Sequence, residues 1–505
     1  MRLARNTLGW GVSLVLAAAH ALAYYSFLPL SLGPRVVLQP WLMQQGFLLY
    51  EHIADEHPPL LYLVLRVLQP LASDSLTVAK VVLVSSIFLV TLLAFWAGLR
   101  ARDWVTGLAS AFFFAIWSPT FGYGKLWHET FLAIVYAILL VLWSQQPTQA
   151  RDKGIRPLTG LLLGVALLFK QHALAVLGAL VLWDVFASWR TQAGLRRTLP
   201  RIASSVLVAL LPLVCFAGYH FLRTGSVENF LFWTVTFNFI NNYRDLASMG
   251  PQPGQLKALV PAFLLIIPFC VRWLKSVLTG KADRIWYSRE GRVFVLLLAG
   301  SLTAYPRFGL FHLQPSLPPL AFLSALELTR SPVVPNLGAT RRNKRRCLLL
   351  IGHLALIVLW IVHTSSAYHR PITSDRPRRI WEYTELVPLA EEVRQQIEPH
   401  DHIYVFPDDE ATANLYYLLR RTPPDYWSPT SYPWFTLDIL KPRIIDALDR
   451  ASPEWVVYFP GRWSIEQHGK EILAYIQSHY QLSSQLAWAE GEVHLMERLP
   501  EQQTR

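Results

Sequence analysis

Residues 50–60, YEHIADEHPPL, bring Glu51, His52, Asp55, Glu56 and His57 together after fifty residues that contain no Asp or Glu. Glu51 and Asp55 are four positions apart, as are His52 and Glu56, so a helix here would show two polar faces. A solvated loop is the plainer reading. His52, Glu56 and His57 lack the HExxH and HxxEH spacings of catalytic zinc sites. Paired carboxylates suit a divalent cation such as Mg²⁺ or Mn²⁺, although nothing in the sequence demands one. Three other places carry isolated chemistry: Glu129 in KLWHETFLA, Lys170 in LLFKQHALA, and Arg307 with His312 in YPRFGLFHLQPSLPPL. A guanidinium beside an imidazole suits a lipid phosphate, because arginine grips phosphate oxygens in bidentate fashion.

The elements that must position these groups are set by composition. The chain has 505 residues, of which 53% are hydrophobic and 16% charged. Soluble domains carry about 25% charged residues, and the mean hydropathy here is +0.29, so the chain reads as a membrane protein. Its net charge of +12 does not indicate nucleic acid, because Lys and Arg sit in short clusters between apolar runs, as the positive-inside rule requires. Cys215, Cys270 and Cys347 lie in or beside apolar runs without metal-like spacing, so they form no disulfide framework. Ala19-His20-Ala21 resembles a signal-peptidase site, but the apolar run continues to Leu30 and reads as an uncleaved anchor.

A span needs about 20 apolar residues. Runs that reach or approach this are 7–30, 78–97, 104–121, 129–145, 158–169 with 172–188, 203–222, 256–275, 292–305, 313–329 and 347–366. Residues 58–72 open with two prolines and carry Arg66, which suits an interfacial helix. With the N-terminus cytoplasmic, this threading puts every basic cluster between spans on the cytoplasmic side. It predicts a multi-pass helical protein of about eleven spans in the plasma (inner) membrane, with a membrane domain over 1–370 and interfacial helices in an outer loop, 31–77. Glu51, Asp55, Glu56, Glu129, Lys170, Arg307 and His312 all fall on the outer side. Ionisable groups at that depth are costly and face a cavity or a partner.

Residues 376–505 have soluble composition. AEEVRQQIEP, ANLYYLLRR and EILAYIQSHY read as helices and HIYVFPD and EWVVYF as strands, which predicts an extracytoplasmic α/β domain. No GxGxxG implies a dinucleotide.

In order and sidedness, the outer loop rising to PPL, the acid in LWHETFLA, GLLLGVALLFKQ, and YPRF…H…PSLPPLAFLSA resemble membrane glycosyltransferases of the GT-C fold that use polyprenyl-phosphate sugars. Within that class the chain is similar to protein O-mannosyltransferases and lipid A aminoarabinose transferases. The resemblance covers most of residues 1–330 and, more loosely, the C-terminal region.

It implies transfer of a sugar from a polyprenyl-phosphate carrier to a lipid, glycan or protein acceptor at the outer face. A first-loop carboxylate would take the acceptor proton, and Lys170, Arg307 and His312 would hold the carrier phosphate. The family's first loop normally begins with Asp, whereas this one reads LSLGPRVVLQPWLMQQG and has no acid before Glu51. The base is then Glu51, Asp55 or Glu56 from further along the loop, or Glu129 acts alone, or the chain is an inactive glycolipid-binding scaffold. A transporter of lipid-linked sugar is the other rival; no inverted repeat supports it.

Overall fold

The computed structural model describes residues 2–28, 30–72, 74–144, 149–190, 195–240, 250–279, 288–305, 308–330, 352, 355, 380–381, 384–409, 412–425, 433–462, 469–488 and 491–500. In chain order the early elements are α1 (Arg2–Ser26), β1 (Leu30–Ser31), α2 (Pro34–Gln44), α3 (Leu60–Leu68), α4 (Ser75–Ala101), α5 (Trp104–Trp117), α6 (His128–Trp143), α7 (Gln149–Phe169) and α8 (Ala173–Arg190). There follow α9 (Leu195–Thr224), α10 (Glu228–Leu231), a π-helical turn over Phe232–Thr236, α11 (Phe237–Ile240), α12 (Pro253–Leu264), α13 (Ile267–Leu278), α14 (Arg289–Ser301), a 3₁₀ segment over Leu310–Ser316 and α15 (Leu317–Arg330). The last elements are β2 (Ile380–Trp381), α16 (Leu386–Arg394), β3 (Ile403–Phe406), α17 (Asn414–Leu419), α18 (Pro433–Ala451), β4 (Trp455–Tyr458), α19 (Lys470–His479), β5 (Tyr480–Trp488) and β6 (Gly491–Arg498).

Two compact units divide the chain: one of residues 1–28, 82–219 and 242–378, the other of 29–81, 220–241 and 379–505. The first is helical among its described residues. Thr7–Ser26, Ser75–Ala101 and Thr198–Thr224 are long and apolar enough to cross a membrane, and α12 with α13 makes a fourth candidate bent by 66°. The protein is thus a membrane protein by fold and composition. α5, α6, the Pro157–Phe169 part of α7 and the Ala173–Phe186 part of α8 are apolar but shorter; the 14 residues of α5 reach about 21 Å against a hydrocarbon core of about 30 Å. The sequence-predicted span 347–366 lies outside the described residues but for positions 352 and 355.

Local chemistry sets the helix ends. Asp103 caps α5 by accepting the Thr106 amide at 2.8 Å, and Ser288 caps α14 by accepting that of Gly291. In GLLLG, Gly160 and Gly164 are four positions apart, and both lie against α9. A Cβ on Gly160 would stand 2.3 Å from the Ser205 carbonyl oxygen, and one on Gly164 2.2 Å from that of Ala209. This is the small-xxx-small route to close helix approach in lipid, where packing replaces the hydrophobic drive.

In the second unit, Pro34 starts α2, whose Arg35, Val36, Val37, Leu38 and Gln39 are all buried. Trp41 packs edge-on against Tyr417 of α17, and the Tyr417 hydroxyl accepts the Ser75 amide at 3.1 Å. β1 runs parallel to β2. A four-stranded mixed sheet, β3-β4-β6-β5, pairs β3 with β4 in parallel and closes with the β5–β6 hairpin. The alternately buried Val493 and Leu495 of β6 face one side.

Candidate functional site

The polar residues gather in two clusters, one in each unit. The acidic cluster of the second unit sits in a loop, because YEHIADEHPP is a knot of turns and not a helix. The Tyr50 amide donates to the Ile53 carbonyl at 2.7 Å and the His52 amide to that of Leu48 at 2.9 Å. Tyr50 has a φ of +72°, unfavourable for a bulky side chain. Complete burial, a hydroxyl bond to the His57 carbonyl at 2.8 Å and ring contacts with His220 and Phe230 hold it there.

Arg35 is the centre of this cluster. Only 3% exposed, it donates from Nη2 to both Glu56 carboxylate oxygens at 2.9 and 3.1 Å. Its Nε lies 3.4 Å from Asp55 Oδ2, and its Nη1 lies 2.7 Å from His57 Nδ1. Gln39, one turn further along α2, donates to Asp55 Oδ2 at 2.8 Å, and the His57 amide donates to Oδ1 at 2.9 Å. Burial alone would raise the Asp55 pKa. The Arg35 charge, the hydrogen bond and charge of His57 and the Gln39 amide outweigh it and hold the carboxyl well below the usual carboxylate range. Burial and the neighbouring carboxylates push the Tyr50 hydroxyl up, so it stays a donor.

Glu51 is placed apart from this clamp. It accepts from Asn229 Nδ2 at 2.6 Å and lies 3.4 Å from His220 Nε2, which makes it a brace between the loop and the start of α10. Asn238 of α11 adds a second brace by donating to the Glu56 carbonyl at 3.1 Å.

The cluster of the first unit forms at the N-terminus of α6, where the helix end favours an anion. Glu129 is fully buried, and its Oε1 accepts from Lys170 Nζ and His312 Nδ1. Lys170 follows directly on α7, and its Nζ lies 3.3 Å from His312 Nδ1. Among the described residues the buried Glu129 Oε2 meets no donor. A scaffold holds the three in place. His128 Nδ1 donates to the Phe169 carbonyl at 2.8 Å, which sets the end of α7 against the start of α6. Thr130 donates to Gln314 Oε1 at 2.8 Å, and Gln314 Nε2 donates to the Gly122 carbonyl at 2.8 Å. Gly122 has φ +64°, and a Cβ there would meet Phe311 Cβ at 2.9 Å, so glycine alone fits the turn. Lys125 lies over the Trp127 and Phe311 rings at 4.5 and 4.7 Å. Lys170 and His312 thus meet at one oxygen of a buried carboxylate, with the Lys125 ammonium over the neighbouring Trp127 and Phe311 rings.

The structure thus joins Glu129, Lys170 and His312, joins Asp55 with Glu56, and sets Glu51 aside; Arg307 lies outside the described residues. Arg35 and Gln39 are additions that the sequence reading did not single out.

Asp55, Glu56 and His57 each offer one ligand atom, all within 4.8 Å of one another, a spacing that could close on a cation. As arranged they do not suit one, because the Arg35 guanidinium already lies among them, 2.7 Å from the His57 nitrogen a metal would need. A divalent ion and this guanidinium exclude each other.

The fold, a helical unit and a second unit that carries the mixed sheet, is similar to that of solved membrane-protein structures of the kind the sequence led us to expect. Over 98% of both chains, the structure matches ArnT from Cupriavidus metallidurans bound to undecaprenyl phosphate, with a TM-score of 0.61 and 15% identity. The apo state of ArnT matches with 0.61 and 16% identity over 97% of this chain and 98% of that one. The Archaeoglobus fulgidus oligosaccharyltransferase in complex with Zn and sulfate matches with 0.50 and 12% identity, over 96% of this chain and 73% of that one. No family model and no curated protein sequence matches the chain.

Proposed function

We propose that the protein is an integral-membrane glycosyltransferase that moves a sugar from a polyprenyl-phosphate carrier to an acceptor at the outer face. The observation that carries this reading is the end-to-end likeness of fold to a protein solved with undecaprenyl phosphate. The Lys170–His312 pair beside Glu129, chemically suited to a lipid phosphate, supports it. Glu56 is the acceptor's base, since its side chain keeps 22% exposure whereas that of Asp55 has none. Asp55 orients Arg35 and His57. The acceptor hydroxyl gives its proton to Glu56 as its oxygen bonds to the anomeric carbon. The bond from that carbon to the phosphate oxygen breaks, and the electron pair leaves on the phosphate. Lys170 and His312, with Arg307, stabilise that charge, and Glu129 fixes the two cations.

The same reading makes the shorter apolar helices further spans, to a total of about eleven in the inner membrane with the N-terminus cytoplasmic. Residues 1–370 form the membrane domain and 376–505 the extracytoplasmic α/β domain.

Purified protein given short-chain polyprenyl-phosphate sugars and lipid, glycan and peptide acceptors tests this. Wild type should release polyprenyl phosphate, and Glu56→Gln and Glu129→Gln should each lower that release at least a hundredfold, with Asp55→Asn less severe. A protein that binds the carrier lipid but consumes no donor would sink the proposal.

A further inference from the structure

The second unit holds a cavity of about 370 Å³ that the mechanism above does not use. One wall is the short segment through α10 and the π-turn, with Glu228, Asn229, Leu231, Phe232, Trp233 and Thr236; the other is α18, with Leu440 and Arg443. Trp233 is 2% exposed, and its indole Nε1–H, buried with it, meets no acceptor among the described residues. A buried donor without an acceptor is costly, and proteins seldom keep one without use. It sits in a π-helical turn, a rare form frequent at functional sites.

We propose that this cavity is a saccharide-binding subsite that seats the sugar acceptor. In assigning the acceptor, the inference rests on the transferase reading above. Four features select a saccharide. The indole N–H calls for a neutral oxygen acceptor such as a hydroxyl or ring oxygen. Phe232, half-buried and edge-on to the buried Trp233 ring at 5.1 Å and 81°, offers an apolar face to the C–H surface of a sugar ring. Glu228 and Arg443, both exposed at the rim, balance in charge, which disfavours a phosphate and suits a ligand that both donates and accepts. The volume falls within the range of about 300–1,000 Å³ for small-molecule pockets, enough for a mono- or disaccharide. Asn229, which lines the cavity, also donates to Glu51, so the subsite wall is hydrogen-bonded to the acid-bearing loop.

Full-length protein in detergent, applied to a printed array of neutral oligosaccharides, tests the subsite without turnover. Wild type should retain a subset of glycans. Trp233→Phe, which keeps the ring and removes the donor, should weaken retention roughly tenfold. Arg443→Gln, an exposed change that does not threaten folding, should do likewise, and Leu440→Trp should abolish retention by filling the space. An array on which wild type retains nothing, or all variants retain glycans equally, overturns the inference. Release of polyprenyl phosphate into water, measured on the same preparation, separates the two ideas. Donor cleavage without glycan retention removes the subsite and leaves the transferase; variant-sensitive retention without donor cleavage removes the transferase and leaves a saccharide site.

Discussion

Arg35→Gln is the most informative single change, because it removes the positive charge on which the acidic loop is built. Arg35 and Asp55 are 3% and 1% exposed, and removing one partner of such a buried pair costs about 3–5 kcal/mol. Asp55 would keep the Gln39 amide and the His57 backbone N–H at 2.8 and 2.9 Å, so the cost should fall near the lower end, about 3 kcal/mol. The lost contact with Glu56, whose side chain is 22% exposed, adds less than about 1 kcal/mol. The pH dependence supplies the sharper test. In wild type the folded pKa of Asp55 lies below its unfolded value of about 3.9. Its ionisation therefore stabilises the protein at every pH above about 4, and this stabilisation is lost as the pH falls below 4 toward the folded value. In Arg35→Gln, burial remains and the main compensating charge is gone, so the Asp55 pKa should rise above the unfolded value. Stability should then fall as the pH increases through about 4 to 6. Thermal midpoints in detergent between pH 4 and 8 would show a deficit that widens with pH. Adding Asp55→Asn to Arg35→Gln should recover part of it. If Arg35→Gln matches wild type at pH 7 and follows the same pH course, Arg35 does not compensate Asp55 and the account of the loop is wrong.

Other outcomes follow from the same geometry. Since Arg35 holds the place a cation would take among Asp55, Glu56 and His57, EDTA should leave wild-type donor cleavage unchanged, and Arg35→Ala should gain stoichiometric Zn²⁺ binding by calorimetry; stoichiometric binding by wild type that is lost in His57→Ala would contradict this. Gly164→Val should lower the thermal midpoint by forcing α7 away from the Ala209 carbonyl, whereas Gly178→Ala, with nothing within 4 Å of its Cβ position, should be neutral or slightly stabilising; equal effects at both sites would refute the close-approach argument.

Parts of the fold could be read in the sequence because period and punctuation are local. HIYVFPD contains β3, EWVVYF contains β4, and Pro58-Pro59 lead into α3 as a short helix. The β5–β6 hairpin was not foreseen, because YQLSSQLAW carries few β-branched residues and its register shift between Leu482 and Ser484 blurs the alternation. α18 was also passed over: Pro433 opens it, Pro442 interrupts it, and proline speaks against a helix interior unless tertiary packing overrules it. The Glu129, Lys170 and His312 positions were legible because ionisable residues in apolar surroundings are rare and must find partners. That all three meet at a single carboxylate oxygen is a matter of tertiary geometry, and no spacing in the sequence encodes it.

The acidic loop shows where more could have been read. Arg35 is the only Lys, Arg, Asp or Glu between Arg5 and Glu51. A lone arginine in so apolar a stretch must either reach water or find carboxylates, and the nearest acids along the chain are those of residues 51–56. Gln39 follows it by four positions, on the same face of any helix begun by Pro34. PRVVLQ is therefore a readable clamp: one guanidinium and one amide, a turn apart, aimed at paired acids. The clamp also bears on which acid takes the proton. Asp55 accepts from Gln39 and from the His57 amide beside the Arg35 charge, with no exposed surface on its side chain, so its lone pairs are committed. Glu56 accepts from Arg35 and keeps part of its side chain exposed. An acid displaced along the loop can thus keep an open face for an acceptor while Arg35 holds it in place, provided a more deeply buried neighbour shares the charge of the guanidinium.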